Sequence, residues 1–214
     1  MNWQLGAVAP SAHACSLAGI GLLGAQPPLV QVEEAREVVV VVSRSRDPGR
    51  EVFLDRCAAE GVAVLLRPTG GGAVVLAAGV VAASVLARTD AGGLLPEPYF
   101  VKYCDVISQA LAELGVTGLG RRGISDVCRG DRKVAGSSLR LWRDRVLFQA
   151  ALLVCSDLSL IERYLPLPSR SPAYRVDRPH GEFVTSLWQE GYRVTPATVV
   201  GALEESLGRH LARS

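Results

Sequence analysis

Arg67-Pro68-Thr69-Gly70-Gly71-Gly72-Ala73-Val74 sets three consecutive glycines between two apolar runs. Without a Cβ, glycine takes up positive φ and lets another group approach the backbone, so such a run can wrap a ligand and aim main-chain N–H groups at an anion. It is not a P-loop, because no Lys-Ser or Lys-Thr follows, and its spacing is not GxGxxG. The plain alternative is a hairpin turn. Further along, Lys133 lies between Gly130 and Gly136, with Ser137 and Ser138 just beyond, a small-residue setting in which a ligand can reach the ammonium. Only two of the 23 basic residues are lysines, Lys102 and Lys133. A compact ammonium concentrates its charge and shifts its pKa where a guanidinium cannot. Between Arg121 and Arg145, eight Arg and Lys stand against three Asp, a net +5, whereas the whole chain carries only +2. That cluster suits a phosphorylated ligand or an acidic protein partner. As a solvated strand edge it would instead deter aggregation.

The elements that must hold these residues are legible in part. Val38–Val42 is a run of five valines, as in a strand buried on both faces, and Pro27–Glu33 reads as a strand beside it. Asp47 before Pro48 starts a helix that Gly61 stops. Residues 62–66, 73–76 and 80–87 read as strands. Phe100, Cys104, Ile107, Leu111 and Leu114 recur every three or four residues, one face of a helix ended by Gly115, from which Lys102 points away. Two β segments surround GDRKVAGSS and a turn at WRDR, and a short helix follows Asp157. Thr195 caps a last helix with Pro196 at its first position and Val199, Leu203, Leu207 and Leu211 along one face. Strands outnumber helices without strict βαβ alternation, which predicts an α+β fold on a mixed, mostly antiparallel sheet.

Composition narrows the function. With 214 residues, 49% of them hydrophobic and 21% charged, the chain can bury a sizeable core. A net charge of +2 is too small for a general nucleic-acid binder. The longest uncharged apolar stretch, Ala73–Ala87, contains Gly79 and falls short of a membrane span, and no Lys or Arg before Arg36 supplies the basic start of a secretory signal. The five cysteines have no CxxC spacing and an odd count, which fits reduced thiols and a cytoplasmic location better than zinc or disulfides.

Taken together, LLRPTGGGAVV and SDVCRGDRKVAGSSLR resemble the lipoate-protein ligase catalytic domain, of the superfamily shared with biotin ligases and octanoyltransferases. Weaker likeness extends to VVVVVSRSRDPGREV, LLVCSDLSLIERYLP and YRVDRPHGEFVTSL, so that roughly residues 28–190 are covered. The resemblance implies the fold of that superfamily and a single catalytic domain over residues 1–214. The residues after Thr195 leave no room for the C-terminal accessory domain of many bacterial ligases, so a separate accessory protein is a further expected partner. It also implies that Gly70, Gly71, Gly72, Ala73 and Val74, following Thr69, line an acyl-adenylate pocket with Arg67 near the phosphate. Lys133 becomes the catalytic cation, Asp126 lies close to magnesium and nucleotide, and Gly136-Ser137 close the pocket. The implied cofactors are ATP and Mg2+. The implied substrates are lipoate or octanoate, together with a lysine on a lipoyl carrier domain of the glycine cleavage H protein or 2-oxoacid dehydrogenase E2 type.

The chain departs from the family pattern in three places. Leu76-Ala77 or Ala77-Ala78 stands where many ligases have His-Asp, Gln149-Ala150-Ala151 stands where they have His-Gly-Thr, and Ser125 replaces the Asn of an Asn-Asp pair. Two rival readings therefore stand beside the ligase. One is an acyltransferase using a cysteine thioester, which needs an activated thiolate that neither Cys128 nor Cys155 is placed to supply. The other is a non-catalytic lipoyl-domain binder. His180 is a candidate contact in the closing segment.

Overall fold

In a computed structural model, which describes residues 4–5, 8–89 and 95–213, the chain forms an α+β fold built on two sheets. In chain order the elements are β1 (Gln4–Leu5), α1 (Ala12–Leu17), β2 (Leu29–Glu34), β3 (Val39–Ser43), α2 (Pro48–Glu51), α3 (Leu54–Ala59), β4 (Ala63–Arg67), β5 (Ala73–Leu76), β6 (Val80–Arg88), α4 (Glu97–Glu113), β7 (Leu119–Arg122), β8 (Asp126–Arg129), β9 (Arg132–Leu141), β10 (Arg145–Leu153), α5 (Ser159–Tyr164), α6 (His180–Phe183) and α7 (Pro196–Ala212). Single 3-10 turns occur at Ile20–Gly24 and Ala173–Arg175.

The smaller sheet has the order β1-β4-β3-β5. Its centre, β3, pairs parallel with β4 and antiparallel with β5. Val39 and Val41 pack into one apolar cluster and Val40 and Val42 into another, which is why the run is valine throughout. Because β4 and β5 lie on opposite sides of β3, the glycines between them cross over the end of that strand. The hairpin-turn alternative is thereby excluded.

The larger sheet has the order β2-β6-β10-β9-β8-β7, with antiparallel pairing throughout. Its outer face carries Val81, Val85, Val146, Phe148 and Leu152, which pack on Tyr103, Ile107 and Leu111 of α4 and on Val199, Leu203 and Leu207 of α7. Each of those aliphatic side chains stabilises the fold by roughly 1.5–3 kcal/mol on burial. The inner face turns toward the smaller sheet, and Ala82, Leu153, Val41, Leu65, Phe183 and the α1 residues Ala14 and Leu17 fill the space between.

Three local expectations are corrected. Pro27–Glu33 and Val38–Val42 are not neighbours, since β2 pairs with β6 in the larger sheet and β3 belongs to the smaller one. The helix expected from Asp47 to Gly61 breaks into α2 and α3 at Val52, which turns extended and enters the core beneath β3. Finally, RKVAGSSLRL is itself a strand, β9. Among the described residues no helix is long and apolar enough to cross a membrane, and the five cysteines are free thiols.

Candidate active site

Lys133 owes its direction to a β-bulge. Asp126 pairs with Gly136 and Val127 with Ala135, but Cys128 pairs with Lys133, so Val134 is the extra residue. Val134 and Ala135 both turn into the core beneath the helices. In a regular strand, residues three apart point to opposite faces. The bulge re-aims Lys133 so that it shares the inner face with Gly136. There its Nζ lies 2.7 Å from Asp126 Oδ1. A Cβ on Gly136 would stand 2.6 Å from that Nζ, so only glycine leaves room for the ammonium to lie across the strand. Asp126 is held from the other side by Tyr174, whose hydroxyl donates to Oδ2 at 2.7 Å and lies 3.4 Å from Cys128 Sγ. Burial, with Cys128 and Asp126 adding to it, pushes the Tyr174 phenol strongly upward, which keeps it a donor.

The triglycine loop is braced from below. Arg67 is buried, and its guanidinium donates to Val41 O at 3.2 Å and to Gly70 O and Gly72 O at 2.7 Å each. Burial lowers its pKa to about 10, opposed by Glu51, so it stays cationic at neutral pH. Glu51 is itself buried at the end of α2, accepts from Ser169 Oγ, and would stand 3.5 Å from a Cβ on Gly72. Ser43 Oγ donates to Thr69 O at 2.8 Å, tying the loop to the end of β3.

Above, the loop is fixed to the larger sheet. Gly70 N donates to Leu139 O at 3.2 Å. Thr69 Oγ1 donates to Gln149 Oε1 at 2.8 Å and lies 2.9 Å from Ser138 Oγ. Gln149 Nε2 in turn donates to Ser84 Oγ and Ala18 O, both at 3.2 Å. Gly71 has φ +90°, and a Cβ there would stand 2.9 Å from Arg67 Nη2 and 3.8 Å from Ser138 Cβ. Ser138 and Gly136 are alternate residues on one strand face, roughly 7 Å apart. The glycine loop and the Lys133 ammonium thus flank the same stretch of the inner face. Two cross-strand rows floor it: Gly136, Ala151 and Ala82, which are small, and Ser138, Gln149 and Ser84, which are polar.

The remaining expected residues fall elsewhere in this frame. Ser137 alternates to the outer face, where its hydroxyl donates to Ser125 O at 2.7 Å and lies 3.6 Å from Cys104 Sγ. The serine that meets the glycine loop is Ser138. Ala73 and Val74 pack on opposite faces of β5, with Val74 toward the space between the sheets. His180 is buried, and its Nε2 lies 3.0 Å from Pro166 O. Sequence reasoning missed Glu51, Ser138 and Tyr174. Strict alternation from Gly136 identifies Ser138, but no local pattern connects Tyr174 to Asp126.

Against known proteins, the profile described as the lipoyl protein ligase A/B catalytic domain matches residues 24–208. The chain belongs to this family. A candidate lipoate-protein ligase A of Aeropyrum pernix is 35% identical over 139 residues, which cover 65% of this chain and 50% of that protein. The chain spans about half the length of that relative, and the matched part of a Schizosaccharomyces pombe relative covers 34% of it. A crystal structure of lipoate-protein ligase A bound with ATP superposes with a TM-score of 0.74 at 22% identity, covering 92% of this chain and 80% of that one. The bi-partite lipoate protein ligase of Thermoplasma acidophilum, described with its E2 lipoyl domain, gives 0.77 at 23% identity, covering 95% and 81%. At such identities the likeness is one of fold. It agrees with the two-sheet architecture of this lipoyl ligase family member.

Proposed function

We propose that this chain activates lipoate or octanoate with ATP as the acyl-adenylate and passes the acyl group to a lysine of a carrier domain. The observation that carries this reading is the Lys133 ammonium, turned by a bulge onto the face that the triglycine loop overhangs. In the first step a carboxylate oxygen of the acid attacks the α-phosphorus of ATP and pyrophosphate leaves. An ammonium between the two anions stabilises the charge that builds up on the phosphorus oxygens. In the second step the ε-amine of the acceptor lysine attacks the acyl carbonyl, loses a proton, and AMP leaves. Lys133, drawn toward the anhydride, polarises the carbonyl for that attack.

The loop glycines Gly70, Gly71 and Gly72 supply close main-chain approach, with Thr69 and Val74 at the two ends. Arg67 acts through the loop by bracing its carbonyls. Gly136 and the small row beside it give the acid room on the inner face. Asp126 orients Lys133 and is the carboxylate beside the reacting groups. No cluster of three or more His, Cys, Asp or Glu gathers among the described residues. Asp126 is the residue that would hold a magnesium ion arriving with its nucleotide phosphates. Such an ion neutralises negative charge on the phosphate oxygens. The acceptor is a lipoyl domain of the H-protein or E2 type.

The thiols argue against a thioester route. Burial raises Cys128 and Cys155 above the ordinary thiol range and Cys104 to about 11, so none of them is an activated nucleophile. The test is incubation with ATP, magnesium and octanoate or lipoate in the absence of any carrier. Pyrophosphate release with acyl-AMP in the mass spectrum is expected. Neither product, together with acylation of a cysteine by acylated carrier protein, would establish the transferase in its place. Retention of a carrier domain without either reaction would establish the binder.

A further inference from the structure

The site uses only part of the basic segment between Arg121 and Arg145. Lys133 pairs with Asp126 and Arg132 with Glu190. Arg121 donates to Gly123 O at 2.8 Å, Arg129 donates to Thr117 O, and the Arg122 guanidinium lies 5.5 Å from the centre of the Tyr174 ring. Arg140, Arg143 and Arg145 are left, at the end of the hairpin formed by β9 and β10, and the pairing of β10 with β6 sets Arg88 directly opposite Arg145. Among the described residues none of these four forms an ion pair, and the Nε of Arg145 is buried without a hydrogen-bond partner. Against the four guanidiniums the turn itself carries one carboxylate, Asp144. Like charges directly opposite each other on neighbouring strands are destabilising, so the fold retains this cluster against its own stability.

The cluster lies on the face that holds the site. Gly136, Ser138 and Arg140 alternate along the inner face of β9, and Trp142 continues that series. Arg140 therefore stands roughly 14 Å from Gly136, and Trp142 roughly 20 Å. The triglycine loop crosses between them, at Ser138 and Leu139. The guanidiniums thus border the site beyond the loop, on the side away from Lys133. Trp142 holds two of them in place: its ring lies 4.9 Å from the Arg140 guanidinium and 5.2 Å from that of Arg145, and it packs against the cluster of Leu22, Leu86 and Leu147. The turn is tied to the end of β6, since Thr89 N donates to Asp144 O at 3.2 Å and Thr89 Oγ1 to Arg143 O at 2.8 Å. Arg88, Arg140 and Arg143 are exposed. Side chains that are already ordered lose little freedom when a partner arrives, and Trp and Arg are the types that dominate binding energy in protein interfaces.

We infer that Arg88, Arg140, Arg143 and Arg145, set around Trp142, are the docking surface for an acidic face of the carrier domain that presents the acceptor lysine. A standard interface covers roughly 800 Å² on each partner, a disc about 30 Å across, so a domain whose lysine reaches the Lys133 ammonium over the loop also spans the hairpin end. The inference rests on the ligase reading for the identity of the partner, but not for its acidic character. The test uses the full chain. An unmodified E2 lipoyl domain of net negative charge is titrated calorimetrically, at low and at high salt, into wild type, a charge-reversed variant (Arg140→Glu with Arg143→Glu) and a charge-kept variant (Arg140→Lys with Arg143→Lys). Pyrophosphate release with ATP and octanoate is measured without carrier. The expected result is at least a tenfold loss of carrier affinity on charge reversal, affinity near wild type in the charge-kept variant, wild-type binding that weakens with salt, and unchanged carrier-free pyrophosphate release in both variants. Equal carrier affinity in wild type and the charge-reversed variant, or wild-type binding that salt leaves unchanged, overturns the inference. Capture of a single-stranded oligonucleotide in place of the carrier overturns it as well. If wild type binds the carrier through these arginines yet forms no acyl-adenylate, the ligase reading fails and the docking surface stands. If acyl transfer proceeds with the same KM for carrier in all three proteins, only the docking surface fails. If wild type neither binds the carrier nor releases pyrophosphate, both fail.

Discussion

The two sides of the site are built in opposite ways. The triglycine loop is held from within: Arg67 binds two of its carbonyls, and Thr69 ties it to Ser138 and Gln149. The Lys133 side is held by charge, through Asp126 and a tyrosine from far along the chain. A methyl group on Gly71 would meet the braced Arg67, whereas one on Gly136 would meet the free end of Lys133. Shape is therefore fixed on one side by hydrogen bonds that no ligand has to displace. The other side keeps its charge available. Under the proposed reading, shape comes from one side of the pocket and charge from the other.

Substitutions can break that contrast. Lys133→Arg keeps the charge but changes its size and reach. Acyl-adenylate formation should fall by on the order of 10²–10³-fold, as when a group stabilising developing charge is removed, with an almost unchanged melting temperature. Equal pyrophosphate release by this variant would remove Lys133 from the mechanism. Gly136→Ala should come next. Displacing the ammonium costs activity approaching the roughly 10²-fold of a 1 Å misplacement, and circular dichroism should show a fold close to wild type because the clash is with a flexible side chain.

The loop side should respond in stability first. Gly71→Ala forces a side chain into positive φ against Arg67 and should cost about 1–3 kcal/mol in urea unfolding. Gly70→Ala, whose Cβ would stand 3.8 Å from Leu139 O, should cost less than Gly71→Ala. If the two cost the same, the loop is not braced as described. The smallest effect expected is a pH dependence at His180. Burial lowers its pKa below the ordinary histidine value, with Arg175 and Lys133 adding to the shift. The unfolded chain then binds the proton more readily, so the contribution is complete above the unfolded pKa of about 6.5. It is lost as pH falls through the folded value. Melting temperature should drop on acidification below about pH 6.5, and His180→Gln should flatten that part of the profile.

Much of this frame was legible in local pattern. The α4 and α7 stripes, the buried valine strand, the turns at Gly79 and after Leu141, and the α+β class follow from periodicity and from residues that admit only some backbone conformations. Proximity was not legible. β2 and β3 look like neighbours because they adjoin in sequence, yet strand pairing is decided by long-range register. The resemblance implies Ser137, whereas the residue that meets the loop is Ser138: alternation along β9 can be counted only from a residue of known direction, and the bulge resets that count.

The sequence by itself determined which residues carry the chemistry-bearing types: a glycine run after Arg67, one of only two lysines between glycines, and a basic segment around it. Those are properties of composition and spacing, set by steric freedom and charge along the chain. Tertiary structure alone decided that Lys133 and the glycine loop share one face and that Tyr174 closes on Asp126. Each of these depends on segments that meet only after two sheets have packed. The direction of a side chain at such a meeting is set by bulges and burial, which no local run of residues specifies.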